Sequence, residues 1–216
     1  SWSGDCANVG TNPVCTLTMD ASKTVAVAFD LKSFAVTTTT DGSGSISCPS
    51  SILYDASATC TVTPDTGWHI VSVTDNGTPI SLDPSGTYTI MNVSANHTIS
   101  ASFAVNTYTI TPSVSAGNGT ITPASPGTIN YGGSMTYTIA PIEGYHIVDV
   151  KADNVSVGAV VTYTFNNVTA NHSISATFAI NTYTVTPSAG SHGSINPSSP
   201  QTANHGSVMS FTITPD

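Results

Sequence analysis

One stretch of this 216-residue chain occurs three times at a nearly constant interval. Residues 93–103 (VSANHTISASF) recur as residues 168–178 (VTANHSISATF) and, more loosely, as residues 19–29 (MDASKTVAVAF). The phenylalanines that close these stretches are 74 and 75 residues apart. A fixed period of this length indicates an array of similar modules.

The first halves of the repeats also match, which places the repeat boundaries. Residues 107–113 (TYTITPS) resemble residues 182–188 (TYTVTPS), and each is followed by a Gly-Thr-Ile or Gly-Ser-Ile motif. The sequence therefore predicts two complete repeats flanked by two half-repeats. Their bounds are 1–32 for the C-terminal half of a repeat, 33–106 and 107–181 for the complete repeats, and 182–216 for the N-terminal half of a repeat.

Within each repeat the apolar residues recur with a period of two. They alternate through residues 24–31, and Thr, Val, Ile and Tyr dominate such runs while Gly, Pro, Asn and Asp punctuate them. These features are typical of half-buried antiparallel strands, and no stretch of ten residues has the apolar spacing of an amphipathic helix. We therefore predict an all-β fold, a tandem array of small β-sandwich or β-grasp-like modules of about 75 residues.

The junctions between repeats interrupt this alternation. It holds to Leu31, Val105 and Ile180 and restarts three residues later each time, which moves the apolar side chains to the opposite face of the strand. The junction residues are Lys32 and Ser33, Asn106 and Thr107, and Asn181 and Thr182. Since a linker of about two residues leaves little room for hinge motion, we expect the modules to form an elongated, stiff rod.

Charged residues make up only 7% of the chain, with three Lys, no Arg and a net charge of -9. Nucleic-acid affinity comes largely from Lys and Arg that displace counterions, so nucleic acid and anionic membrane surfaces are excluded as partners. No segment approaches the roughly 18 consecutive apolar residues of a membrane span, so we expect no membrane insertion. The 35 Thr and 30 Ser residues instead provide a surface that is solvated through hydroxyl groups.

The four cysteines form two pairs that are close in sequence. Cys6 and Cys15 bracket eight residues, and Cys48 and Cys60 bracket a turn between two predicted strands. Neither pair has the CxxC spacing of a zinc site, and the histidines are not placed to complete one. We therefore predict two disulfides, which indicate an oxidising, extracellular compartment.

Two further groups of motifs match a known pattern. They are residues 2–6 (WSGDC) with residues 15–29 (CTLTMDASKTVAVAF), and residues 144–150 (GYHIVDV) with residues 162–168 (TYTFNNV) and the ANHSISATF ending. Together they resemble the divergent internalin B-repeat family of bacterial surface proteins, over nearly the whole chain. The resemblance implies small β-rich modules in series on secreted or surface-anchored proteins, with a β-grasp-like sheet and a short helix. It brings no catalytic residues.

Four of the histidines recur with the scaffold. His69 and His146 share one repeat position, and His97 and His172 share another. A catalytic histidine is normally single and needs an orienting carboxylate and a nucleophile. We therefore interpret these four as structural or surface residues.

The other candidates for chemistry are isolated. His192 and His205 lie in Gly-rich and Ser-rich turns, where a weak metal contact lacks a third ligand. Glu143 has only Asp149 and Asp153 nearby as a second carboxylate for glycoside hydrolysis. No loop gathers the several carboxylates of a calcium site. We therefore expect no catalytic residues, no metal site and no cofactor.

Asparagines in Asn-X-Ser/Thr triplets are numerous. We interpret them first as turn residues of a Thr-rich protein, and N-glycosylation is the alternative. The triplets begin at Asn76, Asn92, Asn96, Asn118, Asn154, Asn167 and Asn171.

Three functions fit these features. The first, which we favour, is a non-enzymatic structural segment of a bacterial extracellular or cell-surface stalk or filament. Its partners are then neighbouring repeats or copies of the chain, end to end. The second is an adhesin-type module that binds an unknown glycan or protein through aromatic side chains such as Trp68 and Tyr145. The third is an accessory region of a large secreted enzyme.

The two half-repeats bear on the first function. Residues 182–216 and 1–32 together contain 67 residues and lack the counterpart of one strand, residues 145–151. We therefore expect these ends to belong to a longer array. The alternative is that they complete one module between successive subunits, because exposed β edges readily accept a strand.

Overall fold

The computed structural model describes residues 1–216 and contains no α-helix. Its one helical element is a 3-10 helix at Ala7–Val9, and no helix has the length and apolarity to span a membrane. The strands of the first half are β1 Trp2–Gly4, β2 Val25–Val27, β3 Ser33–Asp41, β4 Gly44–Ser47, β5 Ser51–Leu53, β6 Ala58–Pro64, β7 Trp68–Asp75, β8 Thr78–Pro79, β9 Thr87–Ile90 and β10 His97–Val105. Those of the second half are β11 Thr107–Ala116, β12 Gly119–Thr122, β13 Gly127–Asn130, β14 Met135–Pro141, β15 Tyr145–Ala152, β16 Val155–Gly158, β17 Thr162–Phe165, β18 His172–Ile180, β19 Thr182–Val185, β20 Gly193–Asn196, β21 Gln201–Asn204 and β22 Thr212–Pro215. The all-β prediction is confirmed, and the short helix that the family resemblance implies has no α-helical counterpart.

The chain forms two compact units. The first contains residues 1–65 and 70–104, and the second contains residues 66–69 and 105–216. Residues 66–69 include the start of β7, so this strand begins among the residues of the second unit and continues in the first.

Each complete repeat folds into a five-stranded and a three-stranded sheet. The strand orders are β5-β3-β10-β7-β8 and β4-β6-β9 in the first repeat, and β13-β11-β18-β15-β16 and β12-β14-β17 in the second. The first and last long strands of a repeat are parallel neighbours, so that His97 lies opposite Val36 and His172 opposite Ile110. The prediction of antiparallel strands is wrong for these two pairs. The sequence could not show this, because apolar residues alternate in the same way in parallel and antiparallel strands. Each complete repeat is therefore closed by pairing between its first strand and its last strand.

The two sheets of each complete repeat pack around one core, which confirms the sandwich prediction. In the second repeat the inner faces of both sheets contribute to a single cluster of buried residues. These are Ile110, Ile121, Tyr137, Ile139, Val150, Ala152, Phe165, Val168, Ile174, Ala176 and Phe178. The buried apolar residues of the first repeat lie at matching strand positions and are Phe34, Val36, Ile52, Cys60, Val62, Val73, Ile90, Val93, Ile99, Ala101 and Phe103.

The half-repeats form only two-stranded sheets, β1 with β2, β19 with β21, and β20 with β22. Their apolar residues are exposed where equivalent residues of the complete repeats are buried. Phe29 is 88% exposed, whereas Phe103 and Phe178 are 5% and 3% exposed. Ile213 is 76% exposed, whereas Ile139, at the same register position, is 1% exposed. The alternation over residues 24–31 is therefore not buried here, because this face is covered only where both halves of a repeat are present.

Candidate functional site

The junction between the second complete repeat and the following half-repeat is a single asparagine. Asn181 separates β18 from β19. Its N–H donates to the carbonyl of Gly144 at 2.8 Å, and its carbonyl accepts the N–H of His205 at 2.7 Å. Its side-chain Oδ1 lies 2.8 Å from Nδ1 of His146. Because an amide oxygen can only accept, the imidazole donates this hydrogen bond from a protonated Nδ1.

Asn106 makes the same contacts between β10 and β11. Its N–H donates to the carbonyl of Gly67, and its carbonyl accepts the N–H of Tyr131, both at 2.8 Å. Its Oδ1 lies 2.8 Å from Nδ1 of His69. All four residues belong to the second unit. The same three hydrogen bonds therefore occur at both junctions, at equivalent repeat positions.

A glycine at each of these two junctions leaves room for a tyrosine or histidine ring. Gly67 and Gly144 have φ values of +81° and +79°, in the left-handed region that favours glycine. A Cβ atom at Gly67 would strike the ring of Tyr131, and one at Gly144 would strike the ring of His205. Glycine is therefore required twice over, for the backbone conformation and for the close approach of the ring.

The first junction has part of this arrangement. The carbonyl of Lys32 accepts the N–H of Tyr54 at 2.7 Å, which is the counterpart of the Tyr131 and His205 bonds. The Lys32 ammonium lies 4.8 Å from the centroid of the Phe34 ring, close enough for a cation–π contact. The second residues of the three predicted junctions begin strands β3, β11 and β19, and they are Ser33, Thr107 and Thr182.

Sequence reasoning placed these junctions but did not pair the asparagine with the histidine. It interpreted His69 and His146 as structural or surface residues, and the structure places both at the surface with a hydrogen-bond partner. The signal that would have found the pair is joint recurrence. Gly-aromatic-His precedes the junction asparagine in both complete repeats, and the paired side chains are 37 and 35 residues apart.

The other recurring histidines contact aspartate. Nδ1 of His97 lies 2.9 and 2.8 Å from the two carboxylate oxygens of Asp75, which is 9% exposed. The same carboxylate accepts the hydroxyl of Tyr88 at 3.1 Å. Burial, followed by the hydrogen bond to Asp75, raises the pKa of the Tyr88 hydroxyl. The Asp75–His97 pair joins the end of β7 to the start of β10 within the five-stranded sheet, so strand pairing accounts for it, and Tyr88 reaches the carboxylate from β9 of the three-stranded sheet.

In the second repeat Ala152 occupies the position of Asp75, and the carboxylate comes from the following residue, Asp153. Oδ2 of Asp153 lies 2.6 Å from Nδ1 of His172, and its Oδ1 accepts the N–H of Ser173 at 2.8 Å. Partial burial acts to raise the pKa of Asp153, but the hydrogen bonds from His172 and Ser173 outweigh it and lower the pKa. The carboxylate partners of His97 and His172 were not identified from the sequence, because they lie 22 and 19 residues away.

Both predicted disulfides are formed. The Cα atoms are 6.0 Å apart for Cys6 and Cys15 and 4.4 Å apart for Cys48 and Cys60, and no cysteine is free. Cys48 follows β4 and Cys60 lies in β6, the antiparallel neighbour of β4. The second bridge therefore joins adjacent strands and lies in the core of the first repeat.

The asparagines of the Asn-X-Ser/Thr triplets are all exposed. Asn96 and Asn171 use Oδ1 to accept the N–H groups of Ala35 and Thr109, at 2.9 and 2.8 Å. Several others have a left-handed backbone, and these are Asn76, Asn92, Asn154 and Asn167. Asn118 lies in the loop between β11 and β12. The left-handed positions support a role in turns, whereas Asn96 and Asn171 bind the first strand of their own repeat. N-glycosylation stays a prediction.

The aromatic residues of the adhesin hypothesis are half-buried. Tyr145 packs against the core of the second repeat, and Trp68 occupies the same repeat position. His192 has a φ of 75° in its turn, and the ring of His205 lies 6.1 Å from that of Tyr183. The structure brings together no group of three His, Cys, Asp or Glu side chains placed to hold a metal ion.

A family model described as the divergent InlB B-repeat domain matches residues 34–107, 108–182 and 183–216. The chain belongs to this family. Each matched B-repeat segment begins one residue after the start of β3, β11 or β19, so the junction asparagines lie where one B-repeat gives way to the next. A search of the curated proteins finds no match to the chain.

Proposed function

We propose that these B-repeats are a non-enzymatic structural segment of a bacterial extracellular or cell-surface protein, in a stalk or filament. The observation that carries the proposal is the recurrence of the same three hydrogen bonds at Asn106 and Asn181. One residue connects the last strand of a repeat to the first strand of the next, and its N–H, its carbonyl and its side-chain Oδ1 are all hydrogen-bonded. Such junctions suit a segment whose task is to span a distance.

Two features support an extracellular location. The chain has two disulfides, which persist in oxidising compartments. Repeats of this family are also typical of bacterial surface proteins. We propose that the partners of the chain are neighbouring repeats or copies of itself, and that it does not insert into a membrane. Because the chain has only three Lys, no Arg and a net charge of -9, we propose that it does not bind nucleic acid.

Location is tested by antibody labelling of intact cells of the producing organism, with protease treatment of the same cells. We expect labelling of unpermeabilised cells and loss of the signal after protease. Labelling that requires permeabilisation would place the protein inside the cell and overturn the proposal.

The elongated rod stays a prediction, and small-angle X-ray scattering under oxidising conditions tests it. A compact domain of this length has a radius of gyration of about 17 Å. We expect a value well above this. A value near it would contradict a spacer role, whatever the location of the protein.

The adhesin hypothesis keeps one favourable observation, which is that Trp68 is only half-buried. A glycan array decides between the two functions. Specific binding by the unmodified chain that is lost in Trp68→Ala, with an unchanged circular dichroism spectrum, would replace the structural proposal by a binding one.

A further inference from the structure

We propose that the B-repeat junctions at Asn106 and Asn181 are clasps, each of which couples the opening of one repeat to the folding of the next. Such a clasp acts at the joint between repeats wherever the protein is located. The clasp consists of a glycine, a histidine, the junction asparagine and a ring from the next repeat. These are Gly144, His146, Asn181 and His205 at the later junction, and Gly67, His69, Asn106 and Tyr131 at the earlier one.

The junction asparagine closes two hydrogen-bond ladders at once. Tyr145 lies opposite Ile180, so the bond from Asn181 N–H to Gly144 extends the pairing of β15 with β18 by one residue. Thr182 lies opposite Asn204, so the bond from His205 N–H to the Asn181 carbonyl extends the pairing of β19 with β21. One residue therefore ends a ladder of one repeat and begins a ladder of the next.

The side chain of the junction asparagine further restricts rotation of the backbone at the junction. A single junction residue has two soft backbone dihedrals, and rotation about them would separate the two ladders. The hydrogen bond from His146 to Oδ1 of Asn181 fixes the side chain against the preceding repeat. The backbone bonds and the side-chain bond therefore resist the same rotation.

The ring at the glycine makes the contact depend on shape as well as on hydrogen bonding. Tyr131 and His205 differ in chemistry but occupy the same place, directly over the missing Cβ of Gly67 and of Gly144. Because the ring belongs to the following repeat, loss of the Gly-aromatic-His loop removes a packing surface from that repeat. We therefore expect opening of the loop to destabilise the following repeat.

Hydrogen exchange measured by NMR on the full chain tests this coupling. The variant is His146→Ala, and the reporter is the amide of His205, whose acceptor is the Asn181 carbonyl and not the imidazole. We expect this amide to exchange about tenfold faster, as for the loss of one net hydrogen bond. An exchange rate within about twofold of the unmodified chain would overturn the proposal.

A conservative variant separates the hydrogen bond from the bulk of the ring. In His146→Asn the side-chain amide nitrogen can take the place of Nδ1, so we expect the His205 amide to return close to its original exchange rate. Exchange as fast as in His146→Ala would show that the donor is not what matters, and would overturn the proposal.

The matched control is Asn171→Ala. It also removes one side-chain hydrogen bond, in this case the Oδ1 acceptor of the Thr109 N–H inside the same repeat. We expect faster exchange at Thr109 and no change at His205. Equal acceleration of His205 would mean general destabilisation of the second repeat and would refute the clasp. The equivalent test at the earlier junction is His69→Ala with the amide of Tyr131 as reporter.

Discussion

The two complete repeats share one topology but fill their cores differently. Tyr137 lies opposite Tyr163, and Cys60 lies opposite Tyr88, so Tyr137 and Cys60 occupy equivalent positions in β14 and β6. Both are fully buried. The second repeat fills this position with an aromatic ring, and the first fills it with a disulfide to Cys48.

Two other buried positions are also filled differently in the two repeats. The ring of Phe165 packs edge-on against Tyr137 with centroids 6.3 Å apart, and the first repeat has Ile90 at that position. Asp75 likewise replaces Ala152, and its carboxylate is hydrogen-bonded within the repeat. The same backbone thus accepts a covalent or an aromatic core, provided that the space is filled and the buried polar groups are paired.

The largest expected effect is that of Tyr137→Ala. It removes a fully buried ring from the second repeat, so we expect the free energy of unfolding of residues 107–181 to fall by about 3 to 5 kcal/mol. Native-state hydrogen exchange measures this repeat by repeat. The control, Tyr137→Phe, removes only the hydroxyl bonded to the Ile110 carbonyl at 3.2 Å and should cost about 1 kcal/mol. Equal losses in the two variants would contradict the aromatic core.

The corresponding change in the first repeat is Cys48→Ala with Cys60→Ala. Loss of the bridge should destabilise residues 33–106 by about 2 to 4 kcal/mol, mainly because the unfolded chain is no longer constrained. The same exchange measurement should show no change in residues 107–181. As a control, Cys6→Ala with Cys15→Ala removes a bridge outside both complete repeats. If it destabilised residues 33–106 as much, the disulfide would not be the counterpart of Tyr137.

The aspartate–histidine pairs of the two repeats differ in burial. The Asp75 side chain is 10% exposed, so Asp75→Ala leaves the Tyr88 hydroxyl and His97 without a buried partner and should cost about 1 to 3 kcal/mol. The Asp153 side chain is 48% exposed, so solvent screening should keep the cost of Asp153→Ala below about 1 kcal/mol. Denaturant unfolding of both variants checks the order. A larger loss for Asp153→Ala would show that burial does not set the difference.

The smallest effect is a dependence on pH in the second repeat. The pKa of Asp153 is lower in the folded protein, so the unfolded chain binds the proton more readily. The contribution of Asp153 is therefore present above the ordinary carboxyl pKa of about 4 and is lost as the pH falls below it. We expect Asp153→Asn to narrow the difference in unfolding midpoint of residues 107–181 between pH 7 and pH 3. An unchanged difference would assign the acid sensitivity to other carboxylates.

Much of the fold could be predicted because it is encoded locally or by repetition. Alternation with a period of two marks strands, and recurrence of residues 93–103 at 168–178 marks modules. Cys48 and Cys60 could be paired because they are only 12 residues apart. The direction of pairing could not be predicted, since β3 and β10 alternate in the same way whether they run parallel or antiparallel.

The candidate site divides in the same way. The change of phase after Val105 and Ile180 located the junctions, but it carried no information about what Asn106 and Asn181 would bind. Their partners lie in β7 and β15, and these strands approach the junction only when the five-stranded sheets form.

An array of β modules with local disulfides and few charged residues could be predicted from the sequence alone, because periodicity, recurrence and composition can be read without knowing which distant residues meet. That one histidine of each complete repeat binds an aspartate and the other binds a junction asparagine became known from the folded structure. The physical reason is that a hydrogen bond depends on the distance and angle between two groups. For groups more than about 20 residues apart, strand order and register set that geometry, and no local pattern specifies them.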